Sequence, residues 1–111
     1  FTFKDNVKDI RNTRVIDIYN ELKEYGVEPH VHDPHASHKD VSAEYGIKLM
    51  QTPEEKCPFD GIIIAVKHRE YANYSMEYLK GLCNSNASLI DVRGIYRKDE
   101  ALEAGLNYWR L

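Results

Sequence analysis

The chain has 111 residues, of which 42% are hydrophobic and 30% are charged, and its formal net charge is -3. A domain of this size can bury a core without disulfides or metals, and the acidic balance argues against a nucleic-acid binder. The sequence shows neither a signal peptide nor an apolar run near the ~20 residues of a membrane span. Two cysteines without a secretion signal favour reduced thiols in the cytoplasm.

Helix and strand signals alternate along the chain. Residues 13–26 are expected to form the first helix, because apolar residues recur every three or four positions, with Thr13 as cap and Gly26 as stop. A strand is expected over 27–33, although Pro29 removes a ladder donor. Further helices are expected over 37–45, 75–83 and 99–104, and further strands over 47–50, 60–66, 88–92 and 106–111.

This order predicts an α/β fold: a three-layer, Rossmann-like parallel sheet with helices on both faces. The segment 60–66 is apolar enough to be a central strand covered on both faces. Only Phe1, Thr2 and Phe3 precede the first polar loop. We therefore expect a truncated first strand, and a single domain taken from a longer protein.

Charged residues follow several predicted strands, and ligands of open α/β sheets bind beyond the strands' carboxyl ends. Lys4 follows the remnant of the first strand, Asp33 the second and Arg93 the segment SLIDV. An arginine fork and a lysine point charge together suit a phosphate or diphosphate. The alternative is that Lys4 and Arg93 are two solvated residues at the starts of loops.

Arg11 precedes the first predicted helix, where a cation is unfavourable for the helix dipole. Its placement against that preference indicates either a ligand contact or a salt bridge with Asp9 or Asp5. The sequence leaves both interpretations open.

Histidines and cysteines offer two further hypotheses. The segment HVHDPHASH could hold a metal, but Pro34 breaks the geometry and surface histidines are the better interpretation. Cys57 precedes a proline in a loop, and Cys83 is expected on the inner face of a helix as a small hydrophobe. A Cys–His pair with His68 has no supporting spacing. The sequence has no G-x-G-x-x-G loop for a dinucleotide.

The opening FTFKDNVKDIRNTRVIDI resembles the start of the C-terminal domain of the UDP-glucose/GDP-mannose dehydrogenase family. That start reads roughly G-x-x-F-K-x-x-x-x-D-x-R-x-S/T, matched here by Phe3-Lys4, Asp9-x-Arg11 and Thr13. ELKEYGVEPHVHDP, FDGIIIAVKHREY, LIDVRGIY and GLNYWRL resemble later segments in the same order. The resemblance covers essentially the whole chain and is nearest to the bacterial branch acting on UDP-N-acetylhexosamines.

The resemblance implies an oxidoreductase of nucleotide-sugar metabolism for polysaccharide biosynthesis. In it an N-terminal NAD-binding domain and a helical middle region with the catalytic cysteine precede this domain, and the parent enzyme is a homo-oligomer. The reaction is oxidation of the sugar C6 alcohol to a carboxylate with two NAD. By position, Phe3, Lys4 and Arg93 would bind the UDP-sugar and Arg11 would reach the NAD. This segment alone would be inactive, with no catalytic residue and no metal of its own.

Two rival interpretations have a different function. The first is a free-standing α/β regulatory module that binds a nucleotide or a phosphate. The second is a response-regulator-like signalling domain, but Asp33, Asp91 and Lys67 do not fall convincingly into its acidic cluster and lysine. Several hundred upstream residues with a dinucleotide fingerprint and a cysteine motif would favour the dehydrogenase.

Overall fold

The computed structural model describes residues 1–2, 4–6, 9–11 and 13–110. It divides into two compact units, Phe1–Thr52 (unit 1) and Pro53–Leu111 (unit 2), and each is described by itself. Unit 1 contains helices α1 (Val15–Glu24) and α2 (His38–Tyr45). Unit 2 contains β1 (Phe59–Ile64), α3 (Met76–Gly81), β2 (Cys83–Asp91), α4 (Lys98–Glu103) and β3 (Asn107–Arg110), with short 3₁₀ helices at Pro53–Lys56 and Arg69–Asn73.

Unit 2 is built on a three-stranded parallel sheet in the order β1-β2-β3. The carboxyl ends of the strands are in register, because Asp91 pairs with Ile64 on one side and with Arg110 on the other. The α/β class and the parallel sheet are therefore confirmed. The register brings the ends of all three strands to one edge, where an α/β sheet presents its ligand-binding loops.

The core of unit 2 lies between this sheet and its two helices. Leu89 and Ala87 of β2 are buried against Leu79 of α3 and Ala101 of α4. Leu106, just before β3, is buried in the same cluster. The predicted strand over 60–66 and the predicted helices over 75–83 and 99–104 are confirmed, each with slightly shifted ends.

Unit 1 is held by a smaller core around α2. Val41 of α2 is buried with Leu49 and Ile47. Ser37 caps α2 as predicted, since its Oγ accepts the Asp40 N–H at 3.2 Å. The cap expected for α1 is displaced.

Helix α1 begins at Val15, and Arg14 occupies its N-cap position without a side-chain cap hydrogen bond. Thr13 Oγ1 still accepts the Val15 N–H at 3.2 Å. Thr13 therefore supports the start of α1 from one position before the cap.

The strands predicted over 27–33 and 47–50 are wrong, because neither segment is a strand. One backbone hydrogen bond joins them, from the Met50 N–H to the Val31 oxygen at 2.8 Å. Pro29 has no N–H to donate, so a regular ladder through the first segment is interrupted. Phe1 and Thr2 are also outside any strand, and Phe3, the last residue of the expected truncated strand, lies outside the described residues.

β2 begins five residues earlier than predicted, at Cys83. α3 ends at Gly81, so the prediction of Cys83 on a helix is wrong. The pairing with β1 is irregular here, since Phe59 pairs with Cys83 but Gly61 pairs with Ser88. Asn86, between them, has a φ of 63°, a left-handed conformation that a bulge accommodates.

Candidate functional site

Arg93 lies on an exposed turn directly after the carboxyl end of β2. Gly94 follows it with a φ of 68°, a left-handed conformation that glycine adopts without steric cost and that reverses the chain here. The predicted position of Arg93 at a strand end is therefore observed. We call residues 92–96 the arginine turn.

The arginine turn is fixed by the carboxylate of Asp91, whose exposed fraction is 0%. Its Oδ1 accepts the Ile95 N–H at 2.9 Å. Its Oδ2 accepts the Tyr96 N–H at 2.8 Å and the Tyr108 hydroxyl at 2.7 Å. Asp91 therefore acts as a structural acceptor that shapes the turn.

The pKa of Asp91 is lowered from its ordinary value by this environment. Burial, the largest single influence, favours the neutral acid, but the hydrogen bonds from Tyr108 and from the Tyr96, Ile95 and Gly94 backbone together outweigh it. The carboxylate is thus charged at neutral pH, with its charge directed into the turn.

Two residues of β3 contact the carbonyl groups of the same turn, and Arg110 donates to them. Arg110 Nη2 donates to the Tyr96 oxygen at 2.9 Å and lies 3.5 Å from the Gly94 oxygen. The Tyr108 hydroxyl is 2.9 Å from the Tyr96 oxygen. The sequence analysis does not single out Tyr108 or Arg110. The only sequence signal is the strand predicted over 106–111, and it is the parallel pairing with β2 that places Tyr108 beside Leu89 and Arg110 beside Asp91.

Lys4 lies at the surface of unit 1, at the start of a turn. Thr2 Oγ1 donates to the Lys4 oxygen at 2.8 Å, and Asn6 has a φ of 58° that closes the turn. Lys4 and Arg93 belong to different units. Phe3, the third predicted substrate-binding residue, lies outside the described residues, so its role stays a prediction.

Asp33, a charged candidate at a predicted strand end, is a buried structural residue. Its Oδ2 accepts hydrogen bonds from the backbone nitrogens of Phe1 and Thr2, the latter at 3.1 Å. Its Oδ1 accepts the N–H groups of His35 at 2.8 Å and Ala36 at 3.1 Å. The carboxylate thus joins the first residues of the chain to the turn that precedes α2.

Arg11 forms an ion pair with Asp9. Its Nε lies 3.1 Å from Oδ1 and its Nη2 lies 3.3 Å from Oδ2, which is a bidentate arrangement. The Arg11 side chain is 82% exposed, and its hydrogen bond is the main cause of a lowered pKa for Asp9. The salt bridge with Asp9, one of the two interpretations that the sequence leaves open, is present, and the pair is exposed to solvent.

The histidines of HVHDPHASH have ordinary polar neighbours. His30 Nε2 is 3.9 Å from Glu28 Oε1, and His38 Nδ1 is 3.5 Å from Gln51 Nε2. Across residues 1–2, 4–6, 9–11 and 13–110, histidine, cysteine, aspartate and glutamate form no group of three that could hold a metal ion.

The cysteines differ in exposure. The Cys83 thiol donates to the Leu79 oxygen at 3.3 Å, and burial raises its pKa, which suits a packed thiol rather than a nucleophile. Cys57 is exposed. His68 is buried, with its ring centroid 5.5 Å from that of Tyr71.

The sequence and fold were compared with those of known proteins. The sequence profile of the UDP-glucose/GDP-mannose dehydrogenase family, UDP binding domain, matches residues 1–98. This chain belongs to that family. The arginine turn and the Asp9–Arg11 pair therefore lie within the part matched to its UDP binding domain, whereas most of α4 and all of β3 follow the matched residues.

Curated relatives cover nearly the whole chain. A UDP-N-acetyl-D-glucosamine 6-dehydrogenase from Pseudomonas aeruginosa is 40% identical over 100 residues, which are 90% of this chain and 24% of the relative. Protein CapL from Staphylococcus aureus is 37% identical over 110 residues, 99% of this chain and 25% of the relative. The chain thus spans about a quarter of the length of these relatives.

A solved structure shares the fold of this UDP binding domain. It is the NDP-N-acetyl-D-galactosaminuronic acid dehydrogenase from Methanosarcina mazei Go1, with a TM-score of 0.85 and 23% sequence identity. The match covers 97% of this chain and 22% of that one. Within the described part of the chain, helices long and apolar enough to cross a membrane are absent.

Proposed function

We propose that this chain is the C-terminal domain of an NAD-dependent nucleotide-sugar 6-dehydrogenase, in which it completes the UDP-sugar site. The observation that carries the proposal is the match of residues 1–98 with the UDP binding domain of the family. The substrate class is a UDP-N-acetylhexosamine or UDP-glucose. Relatives named for UDP-N-acetyl-D-glucosamine and, at 28% identity over 108 residues, for UDP-glucose support that class.

Arg93 is the residue that we assign to the anionic part of the substrate. It is exposed at the carboxyl edge of a parallel sheet, where ligands of this fold class bind. Its planar guanidinium can bind two diphosphate oxygens at once. Lys4 would add a second cation, and Phe3 is proposed to contact the same UDP-sugar on the strength of its motif position.

The chain's own residues supply only a peripheral contact to NAD. The 111 residues contain no G-x-G-x-x-G loop, so the main site for the dinucleotide belongs to a separate N-terminal domain. Arg11 fits a contact to an anionic group of the cofactor, because its side chain is exposed even while it pairs with Asp9. The cofactor would supply the oxidant, and each sugar would need two NAD⁺ in succession, because oxidation of the C6 alcohol to a carboxylate removes two hydrides and takes up one water.

The partners of this domain follow from the same proposal. They are the N-terminal NAD-binding domain and the middle region with the catalytic cysteine, within a cytoplasmic enzyme that is a homo-oligomer. Residues 1–111 act as a single UDP-sugar-binding domain that is inactive alone. The packed thiol of Cys83 is unsuited to be that nucleophile.

The test is a kinetic comparison in the full-length enzyme that carries this domain. NADH formation is followed with UDP-N-acetylglucosamine and UDP-glucose. Arg93→Ala is expected to raise KM for the preferred sugar by at least about tenfold, the cost of losing a charged contact. The matched control is Arg97→Ala, another exposed arginine of unit 2, which pairs with Asp99 at 2.8 Å.

An unchanged KM for the preferred UDP-sugar in Arg93→Ala would contradict the proposed contact between Arg93 and the diphosphate. A natural protein that starts near Phe1 and binds nucleotides without oxidising a sugar would instead support the regulatory module. The preferred sugar in the assay identifies the branch of the family.

A further inference from the structure

The arginine turn is held along two opposite sides of its backbone. On one side, the Asp91 carboxylate accepts the N–H groups of Ile95 and Tyr96. On the other side, β3 binds the carbonyl groups, with Arg110 Nη2 2.9 Å from the Tyr96 oxygen and 3.5 Å from the Gly94 oxygen. The residues that follow Arg93 are thus held through both their N–H groups and their carbonyl groups.

Tyr108 contacts groups on both sides. Its hydroxyl is 2.7 Å from Asp91 Oδ2 and 2.9 Å from the Tyr96 oxygen. The hydroxyl has one proton to donate, and the charged carboxylate at the shorter distance is the stronger acceptor for it. Tyr108 of β3 is therefore linked through Asp91 to the N–H groups of the turn. Arg110 of β3 binds the carbonyl groups of the same turn.

Gly94 lets the Arg110 side chain lie on the turn. A Cβ built at Gly94 would be 3.2 Å from Arg110 Nε and 3.4 Å from Cζ, closer than most side-chain contacts. Because Gly94 has no side chain, the backbone can adopt the left-handed φ here, and the Arg110 guanidinium has room to pack against the turn. The glycine that follows Arg93 in the sequence therefore contacts Arg110, which lies 16 positions after Gly94 in the chain.

We propose that Arg110 and Tyr108 are positioning residues for the contact between Arg93 and the UDP-sugar. The inference rests on the proposed function, in which Arg93 binds the diphosphate. Bidentate binding requires a fixed direction of the guanidinium, and a turn that is fixed before binding does not have to be ordered by the ligand. Both residues lie beyond residues 1–98, the part of the chain that the family profile matches, and within the segment GLNYWRL.

The decisive variant is Arg110→Met in the full-length enzyme, which keeps the length of the side chain and removes its donors. KM for the UDP-sugar is expected to rise by about five- to tenfold, the range typical of a residue that acts through another, with kcat nearly unchanged. Arg110→Lys, which keeps a cationic donor group but loses the planar guanidinium, is expected to recover part of the loss. Arg97→Met is the control, because Arg97 is exposed in the same unit and binds Asp99.

A double-mutant cycle separates positioning from direct binding. In the Arg93→Ala background, Arg110→Met is expected to have no further effect on KM. An equal effect in both backgrounds would show that Arg110 itself binds the ligand and would overturn the positioning role. Tyr108→Phe provides a second variant. It is expected to raise KM for the UDP-sugar when Arg93 is present and to have no further effect on KM in the Arg93→Ala background.

The cycle also distinguishes the failure of this inference from the failure of the proposed function. If Arg93→Ala leaves KM unchanged, the substrate contact is wrong and the positioning role falls with it. If Arg93→Ala raises KM but Arg110→Met and Tyr108→Phe do not, the substrate contact stands and the positioning role is wrong.

Discussion

Tyr108 and Asp91 lie on adjacent parallel strands, and the tyrosine hydroxyl donates to the buried carboxylate at 2.7 Å. This hydrogen bond ties the last strand of the chain to the turn at the end of the preceding strand. It lies within unit 2, and it helps to hold the turn that carries the exposed Arg93 in the conformation observed.

Replacing Tyr108 by phenylalanine is expected to destabilise the 111-residue chain by about 1.5–3 kcal/mol, the usual contribution of a hydrogen bond to a charged group. The ring still packs, so only the hydroxyl is lost. Urea unfolding followed by circular dichroism measures the change in the free energy of unfolding. Tyr25→Phe is the control, since Tyr25 is 78% exposed, and an equal effect in both variants would contradict the assigned hydrogen bond.

The stability of the chain is expected to fall in acid through Asp91. Its pKa is lower in the folded chain than in the unfolded chain, where an aspartate has a pKa of about 3.9. The carboxylate therefore stabilises the fold fully above that value, and this contribution is lost as pH falls through the folded pKa.

The measurement for Asp91 is urea unfolding of the chain and of Asp91→Asn between neutral pH and about pH 2. The difference in unfolding free energy between the two proteins should be largest at neutral pH and shrink in acid. A difference that does not change with pH would show that Asp91 has an ordinary pKa in the folded chain.

Gly94→Ala is expected to cost more stability than Gly105→Ala. Both glycines have a positive φ, 68° and 88°, so both variants carry the strain of about 1–2 kcal/mol for a left-handed residue. At Gly105 the nearest atom to a new Cβ is Lys80 Nζ at an ordinary 3.5 Å, whereas at Gly94 it is Arg110 Nε at 3.2 Å. Thermal unfolding of both variants makes the comparison, and equal losses would show that Arg110 moves away without cost.

Arg11→Ala is expected to leave the unfolding temperature of the chain unchanged, because the Asp9–Arg11 pair is exposed to solvent. In the full-length enzyme it should raise KM for NAD while leaving KM for the UDP-sugar unchanged. The control is Arg97→Ala, which removes another exposed bidentate Arg–Asp pair with the same spacing. If KM for NAD responds equally to both variants, the assignment of Arg11 to the cofactor is wrong.

The helices could be read from the sequence because their signals are local. The apolar spacing of α1, the Ser37 cap of α2 and the apolar run of β1 each involve residues within a few positions of one another. The same holds for the Asp9–Arg11 pair, whose partners are two positions apart.

The strand predictions failed where pairing partners decide the outcome. Residues 27–33 have a β-prone composition, but a strand needs a ladder, and Pro29 removes a donor from it. β2 extends back to Cys83 because Phe59 of β1 pairs with it across an irregular register. Neither partner can be recognised from the segment alone.

By itself, the sequence determined the α/β class, the family motifs and the position of Arg93 after a strand. Only the tertiary structure decided that Asp33 and Asp91 are buried hydrogen-bond acceptors, and that Arg110 binds the Tyr96 carbonyl in the arginine turn. The reason is physical. Helix periodicity and caps depend on neighbours in the chain, whereas a buried carboxylate or a bound carbonyl depends on residues that the register of the sheet brings together.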